Sequence, residues 1–283
     1  MTEETEVNGA GEGEEEREFA RRPMSSILGA PLSWVALFGA LTGVGSLIPV
    51  LMYSGGGGYA SLSQIVLFPV TGMLLGPWAG FVAGLIGGLI GLFVAPGAFP
   101  MGPLDVVLSG AIPALVSGLL ARRWRWVMLV WWVLSLALVV VFPYRWPGQT
   151  QGFAPPPEPA YLLSYWYILL GFVAWLVWAF TPVGRWVHRG RPVTLQSAGF
   201  LWAPWVAITA HRPIWQQPYA YVLKWPPEMT ITDNHAAFLL YVIAVVVQGL
   251  AAFALFRALW RTGLRRVPGS LLDETAVGMT NDQ

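Results

Sequence analysis

The 283 residues are 55% hydrophobic and only 11% charged, with a formal net charge of +1; so few charges cannot clothe a water-soluble domain of this length. Cysteine is absent, which excludes disulfides, thiolate nucleophiles and cysteine-ligated metals. Several apolar runs reach the roughly 20 residues that cross a bilayer, so the expected fold is all-α: a polytopic transmembrane helical bundle of about eight spans, within a range of about six to eight.

Residues 1–30 open with an acidic run, Glu12, Glu14, Glu15, Glu16 and Glu18, followed by Arg21 and Arg22. A cleavable signal would begin basic and turn apolar, so this start reads as a disordered cytoplasmic tail. The first span is expected over Leu32–Met52 and the second over Ser63–Leu75, joined by a flexible loop, Tyr53–Tyr59, that contains Gly55–Gly58. The third is Pro77–Val94. Through these two segments Gly72, Gly76, Gly80, Gly84 and Gly88 recur every fourth residue, leaving one helical face almost without side chains. In lipid, where apolar side chains gain little by leaving the tails, such spacing lets backbones approach closely. The Gly76–Pro77 pair separates the two helices, since proline starts a helix better than it continues one.

Pro103–Ala121 is the fourth span and ends at Arg122, Arg123 and Arg125; Trp126–Phe142 is the fifth. The proline-rich Pro143–Pro159 favours an extended conformation and reads as an external loop. Tyr161–Phe180 is the sixth span and Thr194–Ala210 a shorter seventh. His211–Asn234, with Pro213, Pro218, Pro226 and Pro227, reads as a second external loop before the last span, His235–Trp260. Residues 263–283 form a cytoplasmic C-terminal tail. The chain thus divides into a Gly-rich four-span module at 31–121 and a Trp-rich membrane half at 122–262.

Lysine and arginine accumulate at the cytoplasmic ends of spans. With both termini cytoplasmic, all of the 16 Lys and Arg fall inside except Arg145, Arg212 and Lys224. Adding or removing one span would split the clusters between the two sides. Of the 16 tryptophans, Trp124, Trp126, Trp146, Trp186, Trp225 and Trp260 sit at span ends as interfacial anchors, whereas Trp131, Trp132, Trp175 and Trp178 lie inside spans and read as packing residues.

Soluble-enzyme signatures are missing: the chain has no phosphate-binding P-loop, no zinc-protease motif and no nucleophile elbow. His188, His211 and His235 are scattered, which does not suggest a metal site. No enzyme activity, cofactor, metal or nucleic-acid partner is expected. Polar groups at membrane depth, each needing a partner or a ligand, carry the remaining chemistry. At the outer ends of the spans these are Gln64, Asp105, Ser109, His211, Arg212, Asp233, Asn234 and His235; Gln248 sits near the middle of the last span. A substrate site is expected from Tyr53, Tyr59, Gln64, Asp105, Ser109, Asn234, His235 and Gln248, with the glycine loop as its lid.

Three features over roughly residues 30–121 carry a family resemblance: Ala36-xxx-Ala40 in the first span, the loop that follows, and the run FPVTGMLLGPWAG from Phe68 to Gly80 leading into Gly84–Gly91. The module resembles the substrate-binding S components of energy-coupling factor (ECF) transporters, bacterial importers of vitamins and metals. The resemblance implies a multi-pass protein of the bacterial cytoplasmic membrane that captures a vitamin or similar small solute from outside. It also implies docking on a transmembrane coupling subunit driven by two ATPase subunits, through a small-residue face formed by Ala36, Ala40, Gly80, Gly84 and Gly88. The family usually has six spans, fewer than expected here. A non-catalytic scaffold or accessory subunit of a larger membrane complex is the alternative reading.

Overall fold

The computed structural model describes residues 26–53, 58–142, 144, 159–188, 190–261, 267–271 and 273. Ser26–Ile27 (β1) and Ala30–Pro31 (β2) pair antiparallel around Leu28 and Gly29, both at positive φ, and lead into α1, Leu32–Gly45. The expected first span to Met52 is too long. The helix stops at Gly45, because Pro49 has no N–H to donate to the Gly45 carbonyl, and Pro49–Met52 (β3) instead pairs antiparallel with Tyr59–Ser61 (β4). Leu62 N–H donates to the Ile48 carbonyl at 2.9 Å, which ties the far end of the hairpin. Residues 54–57 of the expected flexible loop lie outside the described residues; its stem is a paired hairpin, closed by Tyr53 N–H on the Gly58 carbonyl at 3.1 Å. Residues 1–25 of the expected acidic tail also lie outside them.

Two helices follow, α2, Ser63–Leu75, and α3, Pro77–Val94, divided by Gly76 at φ 79°. Next is α4, Pro103–Gly118. The first turns of α2 (Ser63–Leu67) and a stretch of α4 (Val106–Ala111) are π-helical. The glycine face of α3 is used within the chain. A Cβ at Gly80 would lie 2.8 Å from Gly72 Cα, at Gly84 2.9 Å from Ala111 Cα, and at Gly88 2.8 Å from Val106 Cγ1. These three glycines are buried against α2 and α4 and cannot form a partner surface, contrary to expectation. On its other side α3 packs on α1, where Gly87 leaves room for Thr42 and Gly39 accommodates Ile86. Ala36 and Ala40, by contrast, are exposed on the outer face of α1.

The second half begins with α5, Arg125–Val141. Its connection to α6, the expected external loop 143–159, lies outside the described residues except for Tyr144 and Pro159. A short turn, Ala160–Leu163, precedes α6, Trp166–Phe180. The largest departure from expectation is α7, which spans Val193–Val222, 30 residues, through Pro204, Pro213 and Pro218. With α8 beginning at Pro227 and running to Arg261, the expected external loop 211–234 shrinks to residues 223–226. Prolines break a water-exposed helix, but a helix enclosed by others has its freed carbonyls re-satisfied by neighbours. The Phe200 carbonyl, freed by Pro204, faces Gly249 of α8, and next to the Thr209 carbonyl that Pro213 frees, the Ala210 carbonyl accepts from both Trp131 Nε1 and Ser135 Oγ of α5, each at 3.0 Å. Trp132, Trp175 and Trp178 are core residues, and Trp178 Nε1 donates to the Leu120 carbonyl at 2.8 Å, joining the two halves.

Part of the expected C-terminal tail is docked rather than free. Val267, Ser270 and Leu271 are buried, Leu271 N–H donates to the Met73 carbonyl at 3.1 Å, and Trp124 Nε1 donates to the Gly269 carbonyl at 3.3 Å. Gly29 meets Pro268 at the same end of the bundle. By length and composition, three helical stretches among the described residues are apolar enough to cross a membrane, Pro77–Val94, Arg122–Val141 and Pro227–Trp260, and α1, α2, α4 and α6 are shorter apolar helices. The outside is as apolar as the inside: Leu37, Leu41, Val130, Leu169, Leu239 and Ile243 are among many large exposed side chains. Buried positions hold Thr71, Asp105, Gln196, Arg212, Gln217 and Gln248.

Candidate functional site

A cavity of about 90 Å³ lies under the β3–β4 hairpin between α2, α4, α7 and α8. The hairpin contributes Leu51, Tyr53 and Ala60, and the two π-helical stretches contribute Gln64, Ile65 and Ser109. A π-helical turn inserts a residue and leaves carbonyls without their usual ladder partners, which is why such stretches recur where side chains must be re-aimed. From α7 come His211, Arg212 and Trp215, and from α8 Asp233, Ala237 and Tyr241.

The charged centre of the cavity is an ion pair across the two long helices. Arg212 Nη2 donates to Asp233 Oδ2, with the side chains 5% and 20% exposed, and Gln216 Nε2 donates to the same oxygen at 3.2 Å. The guanidinium lies over the rings of Trp215 and Tyr241, at 4.6 and 5.5 Å from their centroids. A pair largely shielded from water is held best when further hydrogen bonds and ring contacts replace lost hydration. Those contacts also fix its orientation.

Behind the wall sits Asp105, fully buried. Ser109 Oγ donates to Oδ1 and the Tyr219 hydroxyl to Oδ2, while Met101 N–H adds a long bond of 3.4 Å. Ser109 in turn accepts from Trp215 Nε1 at 2.8 Å, so Asp105 is one hydroxyl away from the cavity. Tyr53 caps this cluster, its ring 6.1 Å from Trp215 and 6.0 Å from Tyr219. Burial pushes the Tyr53 phenol above its ordinary value.

Of the residues expected at the substrate site, Tyr53, Gln64 and Ser109 line the cavity and Asp105 stands directly behind it. Gln64 is committed at both ends of its amide: Oε1 accepts from Ser61 N–H at 2.9 Å and Nε2 donates to the Ala98 carbonyl at 2.6 Å, so it braces the hairpin. Four others are not in the lining. Tyr59 donates to the Ser46 carbonyl at 3.2 Å. Asn234 turns toward α6, accepting from the Tyr167 hydroxyl at 3.1 Å and donating to Ser164 Oγ at 2.9 Å. His235 is exposed, because it falls one residue further round α8, and bonds the Ile231 carbonyl of its own helix at 2.7 Å. Gln248 Nε2 donates to the Ile65 carbonyl in the π-helical start of α2, a structural bond between helices.

The residues that replace them in the cavity are His211, Arg212, Trp215, Asp233 and Tyr241. Their signal was present: Arg212 and Asp233 are isolated charges in an aromatic, apolar stretch, where an ionisable residue at membrane depth marks function. His211, Arg212 and Asp233 count among the polar groups expected at membrane depth, but reading 211–234 as a loop leaves them out of the expected substrate site. Among the described residues no group of three or more His, Cys, Asp or Glu could hold a metal ion. The arrangement is suited to holding and orienting a small polar solute between fixed charges and aromatic walls. Comparison with protein-family models, with characterised proteins and with solved structures returned no match.

Proposed function

We propose that the chain is a multi-pass protein of the bacterial cytoplasmic membrane, with both termini cytoplasmic and eight spans, that captures a small solute from outside. In this reading it serves as the substrate-binding subunit of an ECF-type importer, docking on a transmembrane coupling subunit through Ala36 and Ala40 of α1. The observation that carries the capture reading is the cavity beneath the hairpin, which has an Arg212–Asp233 ion pair in its wall. A largely apolar cavity with a few convergent polar and charged groups is the arrangement expected of a solute site.

The topology draws support from the end opposite the hairpin. There Gly29 meets Pro268, Arg123 pairs with Asp273 at 3.8 Å, and Arg122, Arg123 and His188 surround one small cleft with Ser270 and Leu271. The described residues nearest the two ends of the chain lie beside Arg122 and Arg123, which is in keeping with the positive-inside rule, and in this reading the hairpin faces the other side. Docking draws support from the exposure of Ala36 and Ala40 on a helix whose opposite face is packed against α3.

The test is mass spectrometry of the small molecules released when purified protein is denatured, compared with an Ala237→Phe variant that fills the cavity. A solute present in the wild type and lost from the folded variant is expected. A solute retained at the wild-type level by Ala237→Phe places binding elsewhere and overturns the reading.

A further inference from the structure

We propose that the cavity selects a small zwitterion, a solute with one carboxylate and one ammonium group and no more than about six heavy atoms in all; the proposal rests on the solute-capture reading. The size follows from the cavity of about 90 Å³, which is smaller than the roughly 150 Å³ that accommodates benzene in an engineered core. The charge follows from the wall. Arg212 and Asp233 both border the cavity, from α7 and α8 respectively, and together carry no net charge.

Each partner also has unused hydrogen-bonding capacity. Arg212 borders the cavity, and its Nε, closed to solvent, has no hydrogen-bond partner. Both bonds that reach Asp233 end on Oδ2, from Arg212 and Gln216, which leaves Oδ1 as an acceptor. A solute carboxylate on the guanidinium and a solute ammonium on Oδ1 would extend the pair into a four-charge array, each charge beside an opposite one. A solute with a single charge would add an uncompensated charge to a low-dielectric site, where that penalty is largest. A neutral solute would forgo the charge-assisted bonds. Trp215 and Tyr241 hold Arg212 from its ring faces, so the guanidinium is already positioned before the solute arrives.

Two other titratable groups stand close by. His211 lines the cavity with Nδ1 engaged on the Ala207 carbonyl at 3.1 Å, and Asp105 lies behind Ser109. If the charge of Asp105 reached the cavity, a cation would be favoured over a zwitterion.

The test uses four probes built on one three-carbon frame and titrated calorimetrically into the purified full-length protein at millimolar concentration: alanine, lactate, 1-amino-2-propanol and lactamide. Alanine is expected to bind at least tenfold more tightly than the other three. Asp233→Asn should shift the preference to lactate and Arg212→Gln to 1-amino-2-propanol. Because either single variant strands a buried charge and is prone to misfold, the double swap Arg212→Asp with Asp233→Arg is included. It keeps the pair and should keep the preference for alanine, with the solute bound in reverse. Tighter binding of the anion, the cation or the neutral amide by the wild type overturns the proposal, as does failure of all four to bind. The capture reading itself is judged separately, by the solute released on denaturation.

Discussion

Gly72 of α2 and Ala114 of α4 are in backbone contact, so close that a Cβ added at Gly72 would overlap the Ala114 carbonyl. Neither helix can move aside freely, since Gly80 of α3 packs on the Cα of Gly72. Gly72→Ala is therefore expected to force the helices apart and to destabilise by about 1–3 kcal/mol, measured as a fall in thermal unfolding midpoint in detergent. Ala40→Leu, on an exposed face, is the matched control and should leave the midpoint unchanged. Equal midpoints for the two variants would contradict this packing.

Tyr219→Phe removes one of the donors to the buried Asp105 carboxyl. A lost hydrogen bond to such a group costs about 1–3 kcal/mol, and Asp105→Ala, which strands Tyr219 and Ser109 together, should cost more. Chemical denaturation of both variants would show the order, and a neutral Tyr219→Phe would mean that this bond does not bear on stability.

Gln248 supports the bundle and does not border the cavity. Gln248→Leu loses the bond to the Ile65 carbonyl and is expected to lower stability by only ~1 kcal/mol, the scale of a hydrogen bond between helices in lipid. Solute affinity should be unchanged. A tenfold loss of affinity at unchanged stability would return Gln248 to the site.

The absence of native cysteine makes single-cysteine labelling clean. With the proposed topology, Ala160→Cys should react with an impermeant reagent in intact cells, and Arg191→Cys only after permeabilisation; both positions are exposed. The reverse pattern would invert the topology and place the hairpin on the cytoplasmic side.

Ala36 and Ala40 are the test of docking. Small side chains allow a partner helix close approach, so Ala36→Arg with Ala40→Arg should abolish co-purification with a coupling subunit, while the protein remains monodisperse and inserted. Undiminished co-purification would remove the docking face and favour the scaffold reading.

Local chemistry made much of the helical frame readable from residues alone. Glycines every fourth residue foretold close packing of α2 and α3, and Gly76–Pro77 marked the break between them, because backbone freedom and a missing N–H act within a few residues. Asp105 and Ser109 stood out as polar groups with no place in lipid. The hairpin escaped notice: an apolar run ending Pro49-Val-Leu-Met52 looks the same whether it continues a helix or starts a strand.

What the chain determined by itself was its composition, its apolar segments and the segregation of its arginines, all set by the solvent each stretch can tolerate. Which face of each segment turned inward was decided only by the tertiary structure. Gly80, Gly84 and Gly88 went to α2 and α4 and left Ala36 and Ala40 outside, because a helix with two glycine faces is buried by its own neighbours first. The helix α7 runs on through its prolines among neighbours, with Trp131 and Ser135 of α5 bonding the Ala210 carbonyl one residue from the Thr209 carbonyl that Pro213 frees. Only with that helix continuous do Arg212 and Asp233 come together, 21 residues apart in the chain, in a wall where each is held by the charge of the other.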